Sequence, residues 1–123
     1  MNKDFLKCLA VSLASLLLVG CFESKEVAMV QSGSLTLCPG KTVKQMVDGF
    51  MGSPAWQSGA SNSGQSFVNI EGDITYQDKP VRAMVQFLIA GEQFSFNALE
   101  LNGVPSPNII AIGMMQKMCA SAR

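Results

Sequence analysis

The sequence predicts an α+β domain in which an antiparallel β-meander of three to four strands carries two helices packed on one face. Three features of the sequence predict this fold. Apolar residues recur at helical spacing over residues 42–51 and again over 107–120. Between these segments, over residues 66–101, apolar and polar residues alternate, as in strands that bury one face. Short Gly- and Asn-containing segments separate the alternating stretches and predict tight turns between consecutive strands.

The first helix is predicted over residues 42–51. Thr42 and Gln45 are spaced as in a capping box, where each side chain accepts a hydrogen bond from the other residue's backbone. One helical face then carries Val43, Met46, Val47 and Phe50. A Gly-Ser-Pro segment ends the helix, and residues 57–65, rich in Ser, Gly and Asn, predict a flexible loop.

Three strands are predicted over residues 66–76, 81–89 and 93–101. Their apolar residues of one parity are Val68, Ile70, Ile74 and Tyr76, then Val81, Ala83, Val85, Phe87 and Ile89, then Phe94 and Phe96. Gly72 is predicted to bend or bulge the first of these strands. The short connections predict that the strands form an antiparallel meander.

The final helix is predicted over residues 107–120, with Ser106 as its N-cap and Pro107 at its first position. Its apolar residues are Ile109, Ile110, Ile112, Met114, Met115 and Met118. Because a meander leaves one apolar face uncovered, the simplest architecture lays both helices across that face.

A short basic segment and an apolar run precede the domain. Lys3 and Lys7 lie at the start, and residues 8–19 follow as a largely apolar run. This is the layout of a secretory signal peptide, since a helix of that length rises only about 18 Å, against a hydrocarbon core of about 30 Å. The alternatives are a core helix that ends in Gly-Cys, or the signal of a secreted protein cut at another site, although no Ala-x-Ala-like site follows.

The motif Leu18-Val19-Gly20-Cys21 resembles the lipobox of bacterial lipoproteins. The resemblance implies that residues 1–20 are a cleaved signal peptide. It also implies that Cys21 becomes the first residue of the mature chain and carries a diacylglyceryl group and an N-acyl chain, with no other cofactor. Since Phe22 rather than Asp follows this cysteine, the resemblance further implies a lipid-anchored protein on the periplasmic face of the outer membrane.

The lipobox also sets the expected domain boundaries. Residues 21–34 are expected to be the lipidated N-terminus and a tether, although residues 27–30 and 35–37 could each add a short strand. Residues 35–123 are expected to form one small domain. In architecture and size this domain is similar in outline to small helix-plus-meander outer-membrane lipoproteins.

The cysteines are informative once the lipobox is assigned. Cys8 leaves with the signal and Cys21 carries lipid, so Cys38 and Cys119 are the remaining pair. An exported domain most often joins such a pair, and two buried free cysteines are the alternative. In the chain-entropy model, a bridge closing a loop of about 80 residues stabilises the fold by about 4.5 kcal/mol.

Composition excludes several function classes. The mature chain has seven basic and eight acidic side chains in no cluster, which excludes a basic nucleic-acid footprint. The sequence contains no histidine, the commonest general base, so we expect no enzyme and no catalytic residue. Glu71, Asp73 and Asp78 lie close in sequence, but they lack the spacing of a calcium-binding EF-hand and are expected to face solvent.

Two further features have a functional and a structural interpretation. Met114, Met115 and Met118 would supply soft ligands for Cu(I), or fill the core. Trp56 would anchor an interface, or cover the end of the core. We therefore expect a membrane-tethered, non-enzymatic accessory module that binds another envelope protein; the alternatives are a copper-handling lipoprotein and an inhibitor of a periplasmic hydrolase.

Overall fold

The computed structural model describes residues 24–123. The predicted signal peptide, the lipobox and Cys21 lie outside the described residues. The described chain forms α1 (Lys25–Ser32), α2 (Val43–Phe50), β1 (Gly52–Ala60), β2 (Ser66–Tyr76), β3 (Lys79–Ala90), β4 (Gln93–Leu101), β5 (Val104–Pro105) and α3 (Asn108–Ala120). None of these helices has the length and apolar character needed to cross a bilayer.

The α+β class and the antiparallel meander are confirmed. The strands form one sheet in the order β1-β2-β3-β4-β5, so each strand pairs with its neighbours along the chain. The expected element count was too low, because the described residues contain five strands and three helices rather than three to four strands and two helices. The two larger elements that the sequence did not indicate are β1 and α1.

β1 includes residues 57–60 of the segment 57–65 that was predicted to be a loop. Trp56 is its one large apolar residue, and it lies opposite Ile70 of β2 on the core side. With a single such residue, the strand shows no apolar alternation, which explains why the prediction failed. Residues 61–65 do form a loop, in which the Ser61 N–H donates to the Gln65 carbonyl oxygen at 2.9 Å.

A β-bulge lies beside Gly72, but the extra residue belongs to β1 and not to β2. β2 pairs with β3 without interruption, whereas the register between β1 and β2 shifts between Gly52 and Ala55. Gly72 itself is tightly enclosed, since a Cβ added there would lie 3.0 Å from the Met51 Cβ and 3.1 Å from the Gly52 carbonyl oxygen. The glycine therefore permits a close approach of the chain as it leaves α2.

α1 corrects the expected tether. Residues 25–32 form a helix rather than a spacer or a strand, and residues 35–37 form no strand. Ser24 caps the helix by accepting a hydrogen bond from the Val27 N–H at 3.0 Å. An eight-residue helix is marginal in isolation, so burial of Val27 and Val30, which are 4% and 0% exposed, is what stabilises it.

The two predicted helices are confirmed with small changes at their ends. The Thr42 capping box is present, with the Gln45 N–H 3.1 Å from Thr42 Oγ1 and the Thr42 N–H 2.8 Å from Gln45 Oε1. α3 begins one residue later than predicted, because Pro107 rather than Ser106 is its N-cap. The Ser106 N–H instead donates to the Leu99 carbonyl oxygen at 2.9 Å.

One continuous core lies between the sheet and the helices. The sheet contributes Val68, Ile70, Ile74, Ala83, Val85, Phe87, Ile89 and Leu99. The helices contribute Val27, Val30, Val43, Met46, Val47, Ala111, Met114, Met115 and Met118. Because the buried strand residues share one side of the sheet, all three helices lie over that side, and the other side is the outer face of the sheet.

The hairpins explain how the register is kept. Gln77 and Asp78 both have positive φ angles, 54° and 64°, and form a two-residue turn between β2 and β3. In β4, the register with β3 shifts by one residue, and Asn97 is the extra residue. Phe96 and Leu99 consequently both face the core, although their positions differ in parity.

Cys38 and Cys119 form the predicted pair. They are at disulfide distance, with their Cα atoms 5.6 Å apart and a separation of 81 positions in sequence. Cys38 precedes α2 and is fully buried, and Cys119 lies in the last turn of α3. The bridge therefore joins the segment between α1 and α2 to the last turn of α3.

Candidate functional site

Trp56 does not lie on an exposed apolar patch. Its side chain is half-buried on the helix-covered side of β1 and packs against the core. This placement corresponds to a residue that covers the core rather than to an exposed interface anchor. The backbone of Trp56, in contrast, belongs to the outermost strand of the sheet.

The three methionines of α3 lie inside the domain. Met114, Met115 and Met118 are 5%, 2% and 1% exposed, and all three belong to the core. Cys119, which follows them, is bonded to Cys38. Within residues 24–123 there is also no group of three or more His, Cys, Asp or Glu side chains arranged to hold a metal ion. A metal ion would reach the thioethers of Met115 and Met118 only if the core opened.

The two acidic residues of β2 share one arginine as an ion-pair partner on the outer face of the sheet. Arg82 lies opposite Asp73, with its Nη1 3.1 Å from Asp73 Oδ1 and its Nη2 3.5 Å from Glu71 Oε1. Asp78 lies apart from this cluster, in the β2–β3 turn. All of these side chains are exposed, as expected, so each ion pair contributes little to stability.

The outer face also carries a row of hydrogen-bonded amides. Gln86 Nε2 donates to Asn69 Oδ1 at 3.0 Å, and Asn97 Nδ2 donates to Gln86 Oε1 at 2.8 Å. The row crosses the three central strands of the sheet, from β2 to β4. These amides satisfy one another, which keeps the uncovered side of the sheet ordered.

The strongest candidate for a binding site is a half-open cavity of about 450 Å³ beside α3. It lies where the end of α2, the end of β2 and one side of α3 meet. Its walls are Phe50 of α2, Thr75, Tyr76 and Gln77 at the end of β2, and Ile109, Ile110, Gly113, Met114 and Lys117 of α3. We call this cavity the α3 groove.

Local structure explains why the groove exists. α2 ends at Phe50, and β2 ends at Tyr76, directly before the tight turn, and both of these end residues line the groove. Gly113 has no side chain to fill the space over them. A Cβ added to Gly113 would find no atom within 4 Å, which means that the helix presents backbone to the open space.

The lining of the groove is mainly apolar, with a few polar side chains. Ile109 is 78% exposed at its mouth, a high value for an isoleucine in a folded domain. The hydroxyl of Tyr76 and the ammonium group of Lys117 are the polar groups with the longest reach at its margin. An apolar cleft with few polar groups at its edge suits an apolar side chain whose neighbours accept hydrogen bonds or carry negative charge.

No local pattern in the sequence predicts this groove as a whole, although the apolar residues of α3 are one signal of it. Ile109 and Ile112 belong to the same apolar series as the three buried methionines, so the helix is apolar on nearly every side. A helix of that kind is usually covered all round, yet Ile112 is 49% exposed and Ile109 more so. The groove walls from α2 and β2 were not accessible to local patterns, because they meet α3 only in the folded chain.

Comparison of the chain with known protein families, curated proteins and solved structures finds no match.

Proposed function

We propose that this chain is a lipid-anchored accessory module of the bacterial cell envelope, which binds another envelope protein through the α3 groove. The observation that carries the proposal is the exposed apolar mouth of the groove, formed by Ile109, on a chain whose N-terminus reads as a lipoprotein signal. In this proposal the lipid is attached to Cys21. The domain then faces the periplasm from the outer membrane.

The position of α1 supports a close association with the membrane. Ser24, the cap of α1, is three positions after Cys21. A fully extended segment of that length spans at most about 11 Å. The domain would therefore be held next to the lipid headgroups, and its partner would be a membrane protein or another protein at the same surface.

The cysteine pair supports an extracytoplasmic location. Disulfides persist in oxidising compartments such as the bacterial periplasm, and they are rare in the cytosol of mesophiles. Cys38 and Cys119 lie at disulfide distance, which leaves Cys21 as the one cysteine of the mature chain available for lipid.

The lining of the groove supports binding rather than catalysis. Its walls combine Phe50, two isoleucines and Met114 with the phenol of Tyr76 and the amine of Lys117. The described carboxylates nearest in sequence, Asp73 and Asp78, are not part of this lining. Such a site fits an anchor side chain of a protein partner. An inhibitor of a periplasmic hydrolase would use the same kind of surface, whereas copper handling gains no support from the buried methionines.

Two isoleucines on one helix provide a matched test. Ile109 lines the groove and Ile112 does not, although both are exposed. Tagged wild-type protein, Ile109→Gln and Ile112→Gln are to be cross-linked in intact cells and purified. We expect one dominant envelope protein with the wild type and with Ile112→Gln. Its recovery should fall about tenfold with Ile109→Gln, the effect of losing about 1.4 kcal/mol of binding free energy. Equal recovery with both variants would show that the groove is not the binding site.

A further inference from the structure

β1 is an unpaired edge of the sheet. The strand order places it at one end, and β2 is its one strand neighbour within residues 24–123. No backbone hydrogen bond other than those of the β1–β2 ladder involves residues 52–60 in the described chain. The edge therefore presents a row of free N–H and C=O groups, which is a template for another strand.

The pairing pattern shows which groups point outward. A two-residue hairpin closes on a hydrogen-bonded pair, so Tyr76 and Lys79 exchange hydrogen bonds. Since hydrogen-bonded and non-hydrogen-bonded positions alternate, the odd-numbered residues of β2 bond to β1. Their partners in β1 are Ala55, Gln57 and Gly59. The backbone groups of Trp56, Ser58 and Ala60 consequently point away from the sheet.

β1 carries no charged side chains, although such charges often protect an edge strand from pairing with another strand. Residues 49–70 contain no Asp, Glu, Lys or Arg. Natural edge strands are commonly protected by charged side chains, proline or bulges. Here Pro54 and the bulge before Ala55 protect the beginning of the strand, and residues 55–60 are left straight and uncharged. An identical strand can approach without repulsion between like charges.

We propose that a second copy of this chain pairs with β1, antiparallel and about a two-fold axis at Ser58. In this register Ser58 lies opposite Ser58 of the second copy, and each outward pair exchanges two backbone hydrogen bonds. Trp56 then faces Ala60 of the second copy, and Gln57 faces Gly59 of the second copy. Each large side chain of one strand meets a small residue of the other, so the strand is complementary to itself.

The geometry of this pairing also suits two anchored copies. A two-fold axis perpendicular to the sheet keeps the helix layers of both copies on the same side. Because Ser24 caps α1 in that layer, both N-termini lie on that side as well. This argument alone rests on the proposed lipid anchor, because two copies anchored in one bilayer must have their N-termini on the same side. The pairing of the strands does not depend on the anchor or on the α3 groove.

Light scattering of the full protein in detergent tests the pairing, with Ser58→Pro and Ser58→Ala as matched variants. Proline at 58 removes an outward N–H and places its ring in the path of the second strand, while the ladder to β2 is kept. We expect a dimer for the wild type and for Ser58→Ala, and a monomer for Ser58→Pro. A monomeric wild type at high micromolar concentration would overturn the proposal. The unlipidated Cys21→Ser chain should also dimerise, which separates this result from the anchor.

Photocross-linking in cells provides a second measurement that does not depend on how well Ser58→Pro folds. The photoreactive residue p-benzoyl-phenylalanine is placed at position 57, beside the second strand, and at position 84 as the control, on the outer face of the central strand β3 and outside the α3 groove. We expect an adduct of twice the protomer mass from position 57 and none from position 84. An adduct with a different protein would assign the edge to a strand of that protein and overturn pairing with a second copy.

Discussion

Cys38 and Cys119 lie 5.6 Å apart at their Cα atoms, although they are 81 positions apart in sequence. Cys38 precedes α2, and Cys119 belongs to the last turn of α3. The bond thus closes a loop that contains the whole sheet, and it joins the buried segment before α2 to the last turn of α3.

We expect loss of this bond to cost the domain about 2–5 kcal/mol of unfolding free energy, the usual range for a small secreted domain. Urea unfolding of the Cys38→Ala/Cys119→Ala double variant, compared with the wild type, measures this loss. In the denatured mature protein, both thiols should react with an alkylating agent only after a reductant is added. Immediate alkylation of both would contradict the bridge.

Cys21→Ser tests the lipid anchor. Because the thiol is the acceptor of the diacylglyceryl group in lipoproteins, the variant should incorporate no labelled fatty acid. It should also be released from the membrane or mis-sorted, since no acyl chain remains to hold it in the bilayer. Metabolic labelling followed by membrane fractionation provides the measurement, and Ser24→Ala serves as a nearby control that keeps the cysteine. Labelled Cys21→Ser protein would rule out the anchor at this residue.

Val30→Ala tests whether α1 belongs to the domain. Val30 is fully buried, so removal of two methyl groups should lower the unfolding free energy by about 2 kcal/mol. Lys25→Ala, at an exposed position of the same helix, should change it by less than about 0.5 kcal/mol. If residues 25–32 formed a free tether, both variants would unfold like the wild type in urea.

Gly72→Ala should destabilise the sheet. The added Cβ would approach the Met51 Cβ to 3.0 Å and the Gly52 carbonyl oxygen to 3.1 Å, and backbone must move to make room. We expect a loss of about 1–3 kcal/mol, as for other overpacked sites, measured by urea unfolding. A variant as stable as the wild type would mean that the bulge in β1 adapts without cost.

Gly113→Ala should have the opposite effect. The position lies inside α3, and a Cβ there meets no atom within 4 Å. Alanine should therefore stabilise the domain by about 0.5–1 kcal/mol, through the higher helix propensity of alanine. Gly113→Leu should keep the fold and fill the α3 groove, so that cross-linking to the partner is lost while the thermal midpoint is maintained. Unchanged cross-linking of Gly113→Leu would count against the groove.

The elements that local patterns encode were predicted well. Thr42 and Gln45 are three residues apart and fix the start of α2 by themselves. The alternation in β2 and β3 gives both the strands and the face that each presents to the core. In these segments the sequence repeats its signal over several residues, and no distant contact is needed to interpret it.

α1 and β1 were missed because each depends on contacts that the local sequence does not contain. Val27 and Val30 are too few to mark an amphipathic helix, and their burial under the rest of the domain is what holds α1 in place. β1 has one core-facing aromatic residue, Trp56, and its conformation is imposed by pairing with β2. The α3 groove likewise joins residues from three elements that are far apart in sequence.

The extra residue in β4 has a consequence for how this strand tolerates change. Asn97 shifts the pairing with β3 by one position, and Leu99 and Leu101 point inward only because of that shift. Replacing Asn97 with another residue would remove one amide hydrogen bond, whereas deleting it would turn both leucines toward water. At this position the fold specifies how many residues the strand contains more strictly than which residue is present.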